Sequence, residues 1–312
     1  MSGEQKKRSV LLLAHGTPDV LGEMAAYLDK VTGGRPIPQH VVEELQHRYA
    51  QIGLRDVLSA EPPPLTKWTM RQAELLQEEL AMRVYVGMRN WKPFIADTVE
   101  QMKCDDVTYA KVICLAPQNS RTSTGLYKRA LMAAVGDSFS VDFVEGWSQQ
   151  PRLIEAFAER LLPALKQLRA EAKKPAVLFT AHSVPLRTVQ ASEDAPADPY
   201  ADEARKTAAL VAASVCLEHK DWVFAFQSQG MSGGPWIGPT VEETLRALKV
   251  EGHDGVVIQP VGFVCDHVEV LYDIDIAFQE LAREIGLKLW RAESLNDSPL
   301  LIKALADVAT EA

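Results

Sequence analysis

Cysteine is scarce. The 312-residue chain has four, at Cys104, Cys114, Cys216 and Cys265, and no two of them form a C-x-x-C pair. A structural zinc and an iron–sulfur cluster both want clustered thiolates, and these stand far apart in the sequence. Neither is expected, and buried free thiols in a reduced compartment are the default. Long apolar runs are missing too. The longest pure stretches, such as Val10–Ala14, have the length of a strand, far short of the ~20 residues that cross a bilayer. No basic block exists and the formal net charge is −9, which disfavours binding to a phosphate backbone. With 47% hydrophobic and 24% charged residues, the chain can bury a sizeable core. The profile is that of a cytoplasmic metabolic enzyme with no nucleic-acid partner and no transmembrane segment.

What is present is an alternation. Short apolar runs ending in Gly, Pro or His predict strands at Val10–His15, Val84–Gly87, Lys111–Leu115, Ser140–Phe143, Ala176–Ala181, Trp222–Gln227, Gly255–Pro260 and Leu287–Arg291. Between them, helical spacing is clearest over Gln72–Met82, Pro93–Met102, Arg152–Leu168, Arg205–Leu217, Val241–Val250 and Leu271–Ile285. Near-continuous apolar strands alternating with helices imply an α/β protein with parallel sheets covered on both faces. The strands fall into two sets of four, and each set opens with the phrase Ala-His-x-x-Pro, at His15 and at His182. Two similar halves are therefore expected, residues 1–150 and 151–312. The last helix, Ser298–Val308, can pack on either half. Ligands of open parallel sheets bind beyond the carboxyl ends of the strands, so both histidines are expected to face a cleft.

The richest chemical segment runs from Val261 to Asp275. Asp266 is placed as a helix N-cap, and Asp266, Glu269 and Asp273 recur at i, i+3 and i+7, which puts three carboxylates on one stripe. A solvated acidic face is the plain alternative. Val264, Val268, Val270, Leu271 and Ile274 surround the stripe, however, and a buried acidic row beside a strand-end histidine is a candidate path for a divalent metal. The turn-rich loop Ser232-Gly-Gly234 followed by Pro235-Trp-Ile-Gly-Pro239 carries Trp236. The stretch Val84–Pro93 carries Arg89, suited to an anionic ligand, and Trp91, for which core packing is favoured.

Taken in order, Ala181-His182-Ser183, Pro235-Trp-Ile-Gly-Pro239, Pro260-Val-Gly-Phe263 and Asp266-His-Val-Glu269-Val-Leu-Tyr-Asp273 resemble the signatures of the ferrochelatase family. The likeness extends to Gly33–Pro36, Arg48–Gly53, Pro64–Ala73, Val86–Arg89, Ser123–Gly125 and Arg291-Ala-Glu-Ser-Leu-Asn296, nearly the whole chain. It implies a chelatase fold of two Rossmann-like domains, each a four-stranded parallel sheet flanked by helices. It also implies insertion of Fe²⁺ into coproporphyrin III or protoporphyrin IX in heme biosynthesis, with release of two protons. The partners implied are porphyrin and ferrous iron, with transient partners in heme biosynthesis left open, and no organic cofactor.

On that likeness His182 and Glu269 match the family's catalytic and metal-binding pair, with Asp273 as an accessory metal candidate and His267 beside it. Arg89 and Asn90 match positions that meet porphyrin substituents. His15, Gln118, Asn119, Ser120, Arg121, Ser123, Thr124, Trp236 and Phe263 are the further porphyrin-side candidates, with Lys128 and Arg129 just beyond. Three positions depart from the pattern. His15 stands where relatives carry tyrosine or methionine, Ala277 stands where some continue the acidic row, and Leu54–Glu61 is extra sequence. The alternatives are a cobalt or nickel chelatase of the same fold and a non-catalytic tetrapyrrole binder. The lack of a cysteine-bearing tail and of a membrane-docking helix leans toward a coproporphyrin user, with the choice of porphyrin left open.

Overall fold

The computed structural model describes residues 7–191, 196–230 and 233–311. Its strands are β1 (Arg8–Ala14), β2 (Val84–Met88), β3 (Tyr109–Cys114), β4 (Ser140–Val144), β5 (Pro175–His182), β6 (Trp222–Gln227), β7 (Gly255–Pro260) and β8 (Lys288–Arg291). They form two sheets of the same order, β2-β1-β3-β4 and β6-β5-β7-β8, with every pairing parallel. The predicted strands are all realised. β2 is buried at every position, as is β1 beyond Arg8, which is why these segments read as continuous apolar runs rather than alternating ones.

The chain divides into two compact units. One comprises Met1–Ala116, Ser123–Gly146 and Ile302–Ala312, and the other Pro117–Thr122 and Trp147–Leu301. The expected join at 150/151 falls at 146/147. The chain also crosses three times more than a linear halving allows, into and out of residues 117–122 and once within the last helix, Pro299–Thr310. The end of that helix is tied to the first unit, where Lys111 Nζ donates to the Glu311 carbonyl at 2.9 Å.

In the second unit, the 21-residue helix Pro151–Glu171 begins with Pro at its first turn, and the Gln150 side chain accepts from the N–H groups of Arg152 and Leu153. Leu153, Phe157, Leu161, Leu165 and Leu168 form its buried stripe. Among the described residues, the helices Met24–Thr32, Gln39–Gln51 and Thr124–Val135 and the short turn Leu186–Val189 lie outside the clearest sequence signals. In Gln39–Gln51 only Val42 and Tyr49 are buried, too few to write a periodic stripe.

The segment after β7 differs most from expectation. The single helix read over Leu271–Ile285 is a short turn Val268–Leu271, a π-helical turn Asp273–Phe278 and a last turn Gln279–Glu284. Within it the Ala277 N–H reaches five residues back, to the Tyr272 carbonyl. Val270, Ile274 and Phe278 stay in one line and enter a core with Leu178, Val256 and Ile258. Burying each such side chain contributes about 1.5–3 kcal/mol, enough to hold the irregular backbone. The helix start also moves. His267, in extended backbone, is the N-cap, and Asp266 lies before it, off the expected stripe.

Candidate active site

The β5 strand delivers His182 at its last residue, and Tyr200 Oη donates to the His182 carbonyl at 2.8 Å. Burial, then the charge of Glu269, push the Tyr200 phenol up, so it stays a donor. The next residue is anchored twice: Ser183 N–H donates to the Gln227 carbonyl at 2.6 Å and Ser183 Oγ to the Ile237 carbonyl at 2.8 Å. These bonds leave the His182 ring as the free part of the strand end. Its Nε2 stands 3.0 Å from Glu269 Oε1, with side-chain exposures of 32% and 30%.

Glu269 is the second residue of its helical turn, and its other oxygen lies 3.5 Å from His267 Nε2. His267 Nδ1–H donates to the Cys265 carbonyl at 3.0 Å, and its ring packs edge-on against Phe263. Asp273, one turn on and buried, accepts a short bond from Ser228 Oγ. Ser228 sits just past β6 in the left-handed region, φ 62°, a conformation that a non-glycine residue holds at some cost.

The titrations of His182 and Glu269 depend on one another. Burial opposes protonation of His182. The charge and hydrogen bond of Glu269 outweigh it, with smaller help from the Ser183 backbone and Asp273, and its pKa rises above 6.5. Burial would raise Glu269, but His182 and then His267 hold it well below the usual carboxylate range. Both shifts favour an imidazolium facing a carboxylate.

In the first unit, β1 ends one residue before His15. The Asn90 amide donates to His15 Nε2 at 3.0 Å, so Nδ1 carries the ring proton, beside Tyr27 Oη at 3.1 Å and the Gly16 carbonyl at 3.2 Å. The backbone of the β2 end is stitched on as well, Arg89 N–H to the Ala14 carbonyl and Asn90 N–H to the His15 carbonyl. Gly16, φ 88°, is required here because a Cβ would stand 2.7 Å from the Trp91 nitrogen. Trp91 is buried, as its packing reading expects. Burial is the main cause lowering the Arg89 pKa, and among the described residues no carboxylate pairs with it.

The other sequence candidates separate by burial. Gln118, Ser120 and Thr124 are buried. Gln118 donates to the Val261 carbonyl at 3.1 Å, and Ser120 Oγ bonds Thr122 Oγ1. The Asn119 N–H is held by Glu203, and Ser123 occupies the N-cap position of the helix Thr124–Val135 without a side-chain capping bond. Lys128 pairs with Glu145 at 2.9 Å. Arg121 is spent on its own scaffold: Nη2 donates to the carbonyls of Thr188 and Gln190, and its N–H to Asp198. Trp236 is half-buried against Gly230, and Phe263 is half-buried beside His267. Ser232 lies outside the described residues. Gln227, Ser228, Thr180 and Tyr200 escaped the sequence reading. The rule that strand ends carry function would have reached Gln227 and Ser228, since both lie at the end of β6.

Two Rossmann-like units, with an imidazole–carboxylate pair at the end of a parallel strand, define a metal chelatase. The chain belongs to the ferrochelatase family, whose model matches residues 7–312. It is 55% identical to a ferrochelatase of Acidobacterium capsulatum over 98% of this chain and 94% of that one. It is 35% identical to a coproporphyrin III ferrochelatase of Geobacillus kaustophilus over 97% of this chain and 95% of that one. Among solved structures, SirB from Bacillus subtilis with Fe³⁺ superposes at a TM-score of 0.55 and 12% identity, covering 97% and 96% of the two chains, which supports the chelatase fold alone. The chain is thus a lyase-class metal chelatase of heme biosynthesis that inserts ferrous iron into a porphyrin. Among the described residues no helix is long and apolar enough to cross a membrane.

Proposed function

We propose that iron meets the porphyrin at His182 and Glu269. The observation that carries this reading is their 3.0 Å contact at a strand end, with both side chains about one-third exposed. A free-base porphyrin holds two inner N–H protons, and Fe²⁺ must shed its water as the ring sheds them. Desolvating an ion is costly, so ligands have to replace the waters as they leave. The imidazole of His182 serves as that ligand or as the base for a pyrrole proton once it has lost its own proton. Glu269, a weak base at its depressed pKa, acts as the fixed anion that stabilises the imidazolium. Asp273, held by Ser228, extends the negative path toward solvent iron.

His182→Ala should lower kcat by about 10²–10⁴-fold while the porphyrin still binds, because apolar and peripheral contacts hold the ring. The test is an anaerobic assay of free-base absorbance, with porphyrin affinity measured by fluorescence quenching. Near-normal turnover would remove His182 from the reaction centre.

Coproporphyrin is the substrate we propose, in the cytoplasm and without an iron–sulfur cofactor. Relatives named coproporphyrin III ferrochelatase match nearly the whole chain. Arg89, a half-buried cation with no carboxylate partner among the described residues, is suited to a propionate. The discriminating measurement is kcat/KM with each porphyrin under the same anaerobic conditions. A higher value for protoporphyrin would overturn the choice.

A further inference from the structure

Four carboxylates stand between positions 266 and 275: Asp266, Glu269, Asp273 and Asp275. They do not share one environment. Asp275 follows Asp273 by two positions, which in a helix turns it through roughly 200°, onto the opposite face. There it meets Arg291, the last residue of β8, through a two-pronged contact, Nε to Oδ1 at 2.7 Å and Nη2 to Oδ2 at 2.9 Å. The third nitrogen of Arg291, Nη1, lies 3.4 Å from Asp266 Oδ1 and donates to Ser294 Oγ and the Ala292 carbonyl, both at 3.3 Å.

The Asp266 side is closed by the rest of the Arg291–Asn296 motif. Ser294 Oγ donates to Asp266 Oδ1 at 2.7 Å and Asn296 Nδ2 to Oδ2 at 2.9 Å. The Asp266 N–H donates back to Asn296 Oδ1 at 2.8 Å, and the Asn296 N–H to the Val264 carbonyl at 3.0 Å. The guanidinium thus grips the chain on both sides of Glu269 and Asp273, once before the helix starts and once inside the π turn. Its side chain is 16% exposed, so these charge-assisted bonds are largely shielded from water.

We propose that Arg291 is a positioning residue for iron insertion: by clamping Asp266 and Asp275 it fixes the segment between them, and with it the place of Glu269 and Asp273 near His182. The clamp also divides the charge. Asp266 and Asp275 share the single charge of Arg291, while Glu269 faces His182 and His267, and Asp273 accepts from Ser228. The inference rests on the reading of His182 and Glu269 as the reaction centre.

Arg291→Lys keeps the charge but loses the planar fork that holds two carboxylates at once. Its kcat should fall about tenfold or more, the scale of loss from a misplaced reacting group, with KM and Kd for porphyrin unchanged. Asp275→Asn, a smaller change that keeps the shape, should lower kcat in the same direction. The double variant should lose no more than Arg291→Lys alone, because both act through one contact. Turnover should be expressed per porphyrin-binding molecule, so that a lower folded fraction does not count as lower kcat. A kcat within twofold of the parent in both single variants would overturn the proposal. So would a loss fully accounted for by the folded fraction. His182→Ala, run in parallel, separates the two readings: if it is inactive while Arg291→Lys is normal, the clamp fails and the reaction centre stands.

Discussion

The Gln227 side-chain amide donates to the main-chain carbonyl of Glu269 at 2.6 Å, and its own oxygen accepts from Thr180 Oγ1 at 2.6 Å. Gln227 is buried and pairs in register with His182 across β5 and β6. One amide therefore ties the strand that carries His182 to the residue that His182 faces. The His182 strand and the Glu269 turn are thus joined through a third side chain that belongs to neither element.

Gln227→Ala should cost about 1–3 kcal/mol in stability, since it strands the buried Thr180 hydroxyl. It should also lower kcat well beyond what the loss of folded protein explains. Denaturant unfolding and anaerobic turnover per folded molecule check this. Gln227→Glu is the sharper variant: it keeps the shape and adds an anion near Glu269, and should lower turnover while the protein folds.

The ion pair makes activity and stability respond oppositely to pH. His182 has a raised pKa, so its contribution to stability is complete below 6.5 and is lost as pH rises through the raised value. The contribution of Glu269 is present above 4.5 and is lost as pH falls through its depressed value. The groups facing His182 that set this window are Glu269 and Asp273. On the role proposed for His182 the imidazole acts unprotonated, so kcat/KM for iron should rise as pH climbs through its raised pKa, above 6.5. Glu269→Gln removes the charge that raises His182, and the acid limb should move to lower pH as kcat falls. An unmoved limb would assign it to another group.

Gly262 lies where the loop after β7 crosses the end of β5. A Cβ there would stand 2.8 Å from both Cα and Cβ of Ala181, the residue before His182. Gly262→Ala should cost about 1–3 kcal/mol through overpacking, lowering Tm. Because the displaced backbone carries His182, kcat should fall as well. A lower Tm with normal kcat would show that the strand end absorbs the strain without moving the ring.

Arg89 and Arg121 should separate by porphyrin. Arg89→Met should weaken coproporphyrin more than protoporphyrin, by about 1–2 kcal/mol for a lost charge-assisted contact. Arg121→Met should weaken both equally or neither, because its guanidinium already serves the Thr188 and Gln190 carbonyls. Fluorescence titrations with each porphyrin provide the comparison. Equal losses for both porphyrins in the Arg89 variant would remove it as a propionate partner.

Much of this protein was legible in the one-dimensional pattern. Buried parallel strands write continuous apolar runs, so all eight strands could be read, and the repeated Ala-His-x-x-Pro marked the two central strand ends. His182 stood out as a strand-end histidine, and Glu269 and Asp273 as carboxylates on one stripe bordered by apolar residues. The residues that hold these groups in place did not stand out. Gln227, Thr180 and Tyr200 are ordinary strand and helix residues, and their roles arise from hydrogen bonds to positions 18 to 47 residues away.

By itself the sequence determined the alternation of elements, the doubled sheet and the chemical types at the strand ends, because periodicity and residue type are local properties. The tertiary structure alone decided which of four nearby carboxylates face His182. A regular helix would have kept Asp266 on the stripe with Glu269 and Asp273. Instead the helix starts after His267, a π turn follows Asp273, and Arg291 draws Asp266 and Asp275 to itself. Helical spacing counts residues along one element. The position of a guanidinium on β8, and the backbone irregularity that its contacts accompany, become visible only when two elements distant in the chain are packed together.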